Sequence, residues 1–117
     1  MRGLISIRRR PAGFLEGRAR RGSGRHGEIL ASFLQSDIQG DLETAGLLLA
    51  EVSAAERGEA SQPGGVGNAF SITITPDGGA IRNAVLEGAV PERYSLAELR
   101  DALEAWIAAI ESVQRLR

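Results

Sequence analysis

"NAFSITITPDGGAIRNAVLE", residues 68–87, is the stretch whose reading decides the fold. Phe70, Ile72 and Ile74 alternate with Ser71, Thr73 and Thr75, the period of a strand with one dry face and one wet face. Pro76 presets φ for a turn, and Gly78 and Gly79 tolerate positive φ. The segment reads as an antiparallel hairpin. Pairing Thr75 with Ala80 around a four-residue loop sets Ile74 opposite Ile81 and Phe70 opposite Val85. A slip of one residue would turn Ile81 and Val85 onto the wet face.

A lone hairpin is marginal in water, so the fold needs a third strand. The candidate is "EILASFLQSDIQGD", residues 28–41. Ile29, Leu30, Phe33, Leu34 and Ile38 fit a helical stripe, whereas Ile29, Ala31 and Phe33 fit one face of a strand. The need for a third strand tips the reading toward a strand over 28–36, ended by Ser36, Asp37, Gly40 and Asp41.

Helices flank the hairpin. Over 41–59, Asp41 caps a stripe of Ala45, Leu48, Leu49, Val52 and Ala55, and Gly58 ends it. Residues 60–67, "ASQPGGVG", form a loop by composition. Over 94–116, Ser95 and Glu98 make a capping box, and Tyr94 against Leu99 makes a hydrophobic staple. Leu96, Leu99, Leu103, Trp106, Ile110 and Val113 then recur at spacings of three and four. The order β-α-β-β-α predicts an α+β domain over 28–117: a small, mainly antiparallel three-stranded sheet with two helices on one face.

The first 27 residues read differently. Eight arginines face one acid, Glu16, within residues 1–25, a sum of +7; the remainder carries six arginines and fourteen acids, a sum of −8. With six glycines and Pro11 among residues 1–27, this segment is expected to be a mobile basic arm that the fold can lose without cost. It fits a mitochondrial transit peptide poorly, being low in Ser and broken by Gly. Arg8, Arg9, Arg10, Arg18, Arg20 and Arg21 are the candidate polyanion contacts, which makes nucleic-acid association the alternative function. The acidic body opposes that reading.

Catalytic chemistry finds little material. The 117 residues contain no Cys, which excludes disulfides, thiolate nucleophiles and Cys-type metal sites. The single His, His26, sits beside the arm among glycines and reads as a solvated linker residue. Glu51, Glu56 and Glu59, and likewise Glu98, Asp101 and Glu104, read as the wet sides of amphipathic helices. "GGVGNAF", residues 64–70, fails as a phosphate loop because a strand follows it and the chain has no Lys. No catalytic, cofactor-binding or metal-ligating residue is therefore assigned, and the chain is not expected to be an enzyme. No apolar run approaches the ~20 residues a membrane span needs, so a cytoplasmic protein is expected.

"GNAFSITITPDGGAIRN" followed by "YSLAELRDALEAWIAAIE" resembles small bacterial proteins of a recurring design. In these, a GNA-aromatic strand, a PDG turn and a return strand precede an amphipathic helix bearing a Trp. "FLQSDIQGD" is similar to their opening segment, so the resemblance spans about residues 28–112. Its motifs are a turn, a cap and a core Trp, so it implies the fold more than any activity. By analogy with proteins of this size and make-up, which often act by binding, a function by protein–protein contact is expected, toxin-neutralising immunity being one form. The expected partner is another protein or a second copy. The seam of the last helix, Leu96, Leu103, Trp106, Ile110 and Val113, is the candidate interface because its length exceeds what a short sheet covers.

Overall fold

The computed structural model describes residues 3–11, 13–59 and 69–115; the loop expected over 60–67 and most of "GGVGNAF" lie outside them. The element order is β1 (Ile5–Arg9), β2 (Leu15–Ala19), α1 (Gly24–Phe33), a π-helical turn (Leu34–Ile38), α2 (Leu42–Glu56), β3 (Phe70–Thr75), β4 (Gly78–Asn83), β5 (Glu92–Tyr94) and α3 (Leu96–Arg115). The class is α+β, as expected, with three helices, a two-stranded antiparallel sheet and a three-stranded one in the order β3-β4-β5. Among the described residues, no helix is long and apolar enough to cross a membrane.

The largest correction concerns the basic arm. Residues expected to be mobile form the β1–β2 hairpin, paired from Ile5↔Ala19 to Arg9↔Leu15. A strand needs an apolar residue only at every second position to own a core face. Ile5, Ile7 and Leu15 supply it, and Ile5 and Leu15 are 6% and 8% exposed. The hairpin packs on α1 and α3. At Gly17 a Cβ would stand 3.3 Å from Trp106 Cζ3 and 3.2 Å from the Ala31 carbonyl, so this glycine admits the indole and α1 at close range. The domain boundary at residue 28 therefore has no structural counterpart: α1 begins at Gly24, and the hairpin shares one core with everything that follows.

The segment 28–36 is helical, which corrects the strand reading. Leu30, Ala31, Phe33, Leu34 and Ile38 are all buried, and a strand would have sent Leu30 and Leu34 to the face opposite Ala31 and Phe33. The third strand comes instead from Glu92–Tyr94, pairing Gly79↔Tyr94 and Ile81↔Glu92. The hairpin register is also corrected. Thr75 faces Gly78 across a two-residue loop, Ile72 faces Ile81 and Phe70 faces Asn83. This differs from the expected register by two residues, so the faces are preserved and Ile81 stays fully buried. The tighter loop requires Gly78, whose φ is 136° and where a Cβ would meet the Tyr94 carbonyl at 2.6 Å.

Both remaining helices follow the sequence reading. Asp41 caps α2 by accepting from the Thr44 N–H at 3.1 Å and the Thr44 hydroxyl at 2.7 Å. At α3, the Glu98 N–H donates to Ser95 Oγ at 3.0 Å and the Ser95 N–H to Glu98 Oε1 at 2.9 Å, a complete capping box. Tyr94 and Leu99, the expected staple pair, are both buried.

The π-helical turn joins these parts. The Gln39 N–H donates to the Leu34 carbonyl at 2.8 Å, and Gln39 has φ 54°, ψ −129°, costly for a residue with a Cβ. Two of its polar side chains reach other elements, and its last carbonyl takes a bond from α3. Gln35 Oε1 accepts the Gly17 N–H of β2 at 2.9 Å. The Asp37 carboxylate accepts the N–H groups of Ala69 and Phe70 at 3.0 and 2.9 Å, fixing where β3 starts. Trp106 Nε1 donates to the Gln39 carbonyl at 2.7 Å.

Candidate functional site

The loop that follows β4 is polar in neither sequence nor surface. Val85, Leu86 and Val90 are 76%, 62% and 70% exposed, three large apolar side chains within six residues. The loop is nonetheless held. Asn83 Oδ1 accepts the N–H groups of both Val85 and Leu86 at 2.9 Å. Arg25 of α1 donates from Nη2 to the Val90 carbonyl at 3.1 Å. Between this loop and α1 lies an open cleft of about 600 Å³, with Arg25, Ile29, Phe70, Leu86 and Val90 among its walls.

A polar cluster closes one end of the same face. The His26 ring stacks on Tyr94 at 4.3 Å between centroids. Its Nδ1 lies 2.8 Å from Glu92 Oε2 and its Nε2 lies 3.1 Å from Glu98 Oε2. Ionised carboxylates only accept, so both bonds form together only when the imidazole carries both protons. Burial pulls the His26 pKa down, but the hydrogen bonds and charges of Glu98 and Glu92 outweigh it and hold it above its ordinary value. Burial raises the Glu98 pKa; the Ser95 backbone, His26 and the Ser95 hydroxyl outweigh that and leave it lowered. Burial, with the charges of Glu92 and Glu98, pushes the Tyr94 phenol well above its usual range. The Tyr94 hydroxyl donates to the His26 carbonyl at 2.6 Å, and Arg25 Nε donates to Glu92 at 3.3 Å. The cluster thus clamps α1 to β5 and α3.

This clamp has a defined pH sense. A group with a raised folded pKa contributes stability that is present below its unfolded value, near 6.5, and lost as pH rises through the folded value. Glu98 contributes the opposite way, losing its share as pH falls through its lowered value. His26→Gln is therefore expected to destabilise the domain more at pH 5.5 than at pH 9, read as the shift in urea midpoint at each pH. Equal shifts at the two values would show that His26 acts through packing on Tyr94 alone.

Leu103, Trp106 and Ile110 are 2%, 0% and 3% exposed within the chain itself, so they cannot anchor a partner; this corrects the proposed α3 interface. Leu96 and Val113 are partly buried against the same core. Helix α2 and the β1–β2 hairpin cover the part of the seam that the three-stranded sheet does not reach. His26 is a clamped helix residue and not a solvated linker. The helix carboxylates are mostly paired: Arg100 holds Glu56 at 2.6 Å and Glu104 at 3.3 Å, and Arg57 holds Glu59 at 3.1 Å. Among the described residues, no group of three His, Asp or Glu side chains is placed to hold a metal ion.

The 84–91 loop is hidden in the sequence because "AVLE" reads as a continuation of the return strand. The signal present was an apolar run broken by Gly88 and Pro91 after an Asn able to cap it. No protein-family model matches the chain, and no curated protein or solved structure matches it either.

Proposed function

We propose that this chain is a non-catalytic binding protein that engages another protein through the face between α1 and the 84–91 loop. The observation that carries the reading is the exposure of Val85, Leu86 and Val90 on a loop held in place by Asn83 and Arg25. Clustered apolar surface of this kind marks a contact site. A loop already ordered loses little further entropy on binding, which favours contact through it. The non-catalytic part is supported by His26, whose two ring nitrogens are both engaged by carboxylates and leave no free base. An immunity-like role, in which the contact neutralises a toxin, is the narrower form of the same reading.

The test is a photo-crosslinking side chain introduced at position 86 in cells, with Leu47, exposed on α2, as control position. A discrete adduct at 86 and none at 47 is expected. Leu86→Asp should abolish capture through a crosslinker at Val90 while changing stability by no more than about 0.5 kcal/mol, as for exposed positions. Sedimentation velocity separates a second copy from a different protein. Adducts equal at both positions would sink the proposal.

A further inference from the structure

The outer face of the β1–β2 hairpin holds positive charge in a fixed array. Strand alternation turns Ile5, Ile7, Leu15 and Gly17 inward against α1 and α3, so Ser6, Arg8, Glu16 and Arg18 face out. The Arg10 N–H donates to the Phe14 carbonyl at 2.9 Å, which extends the ladder by a pair in register with that face. Arg20 closes the other end, its Nε donating to the Ile5 carbonyl at 2.9 Å. Glu16, the one acid of residues 1–25, takes Arg18 at 2.7 Å and Arg10 at 3.7 Å. A single carboxylate leaves Arg8, Arg10, Arg18 and Arg20 with a net charge of about +3 at neutral pH.

We propose that this face binds nucleic acid through its phosphodiester backbone. This is a second surface, independent of the loop contact above. Guanidinium groups two residues apart on a strand repeat at about 6.8 Å, a regular row for a repeating polyanion. A two-stranded ribbon is narrow enough to enter a major groove about 12 Å wide. Because the ribbon is folded, binding does not have to order a mobile arm. The acidic remainder of the chain does not block the approach, since the inner face of the hairpin is the one that packs on it. Phe14, 58% exposed, offers one ring for stacking if the strand is single.

Fluorescence anisotropy with a labelled 20-base-pair DNA duplex and a 20-nucleotide single-stranded RNA, between 50 and 200 mM salt, tests this. Neutralising about three phosphates gives a log–log slope near −2.7 on duplex, an affinity loss of about forty-fold over that range. The tighter of the two probes identifies the source of the phosphates. Arg8→Gln with Arg18→Gln should flatten the slope by about 2 and weaken binding at 50 mM at least about tenfold. Trp106 emission should be unchanged, which shows that the double variant is folded. Leu86→Asp should bind as the wild type does, keeping the two surfaces separable. Binding absent at 50 mM, a double variant that binds equally well, or polyglutamate bound as tightly as nucleic acid would each overturn the proposal; the last would indicate an acidic protein.

Discussion

Deleting residues 1–22 is expected to lower the unfolding free energy by on the order of 3–6 kcal/mol, a large part of the ~5–15 kcal/mol that holds a domain of this size. Ile5 and Leu15 are buried in the common core, and each buried aliphatic side chain contributes about 1.5–3 kcal/mol. The deletion also strips cover from Ala31 and Trp106, which meet the chain at Gly17. Urea unfolding followed by Trp fluorescence measures the loss. A truncated chain with an unchanged midpoint would mean that the hairpin only rests on the body.

Trp106→Ala is the second large effect. Truncating a buried Trp costs about 3–5 kcal/mol through lost contact and the cavity left behind. The substitution also removes the donor to the Gln39 carbonyl, Trp106 Nε1 at 2.7 Å; Gln39 is exposed and water can replace that donor, so this adds about 0.5–1.5 kcal/mol. Trp106→Phe separates the two contributions, since it keeps most of the packing and loses only the donor. The Phe variant should fall between wild type and Ala in urea midpoint. If Phe equals wild type, the bond to Gln39 contributes nothing.

What the sequence made legible was local. The capping box at Ser95, the Asp41 cap and the seam of α3 lie within a few residues of one another, and each was read in the right place. The hairpin of β3 and β4 was legible as a hairpin, but its loop length was not, because "PDGG" accommodates two registers that bury the same face. The basic hairpin was hidden by composition. Arg8, Arg10, Arg18 and Arg20 on the outward face raised the mean charge of the segment, while the alternation of Ile5 and Ile7 lay inside a run of only five residues. The His26 clamp was illegible for a different reason: its carboxylates stand 66 and 72 residues away along the chain. No local pattern encodes such a meeting. The 28–36 segment failed because both of its alternating faces are apolar, and only the packing decided between a strand and a helix.

The meeting of Gly17 with Trp106 has a consequence for how the chain is made. On a ribosome adding about 5–20 residues per second, the indole follows Gly17 by on the order of 5–20 s. Throughout that interval Ile5, Ile7 and Leu15 have emerged without α3, the later of the two helices that cover them. The hairpin, a fast local structure forming in about 1–10 μs, must therefore open and close many thousands of times before α3 arrives to lock it. During synthesis the charge of its arginines acts between nascent chains: mutual repulsion opposes pairing of the strands that α3 has not yet covered.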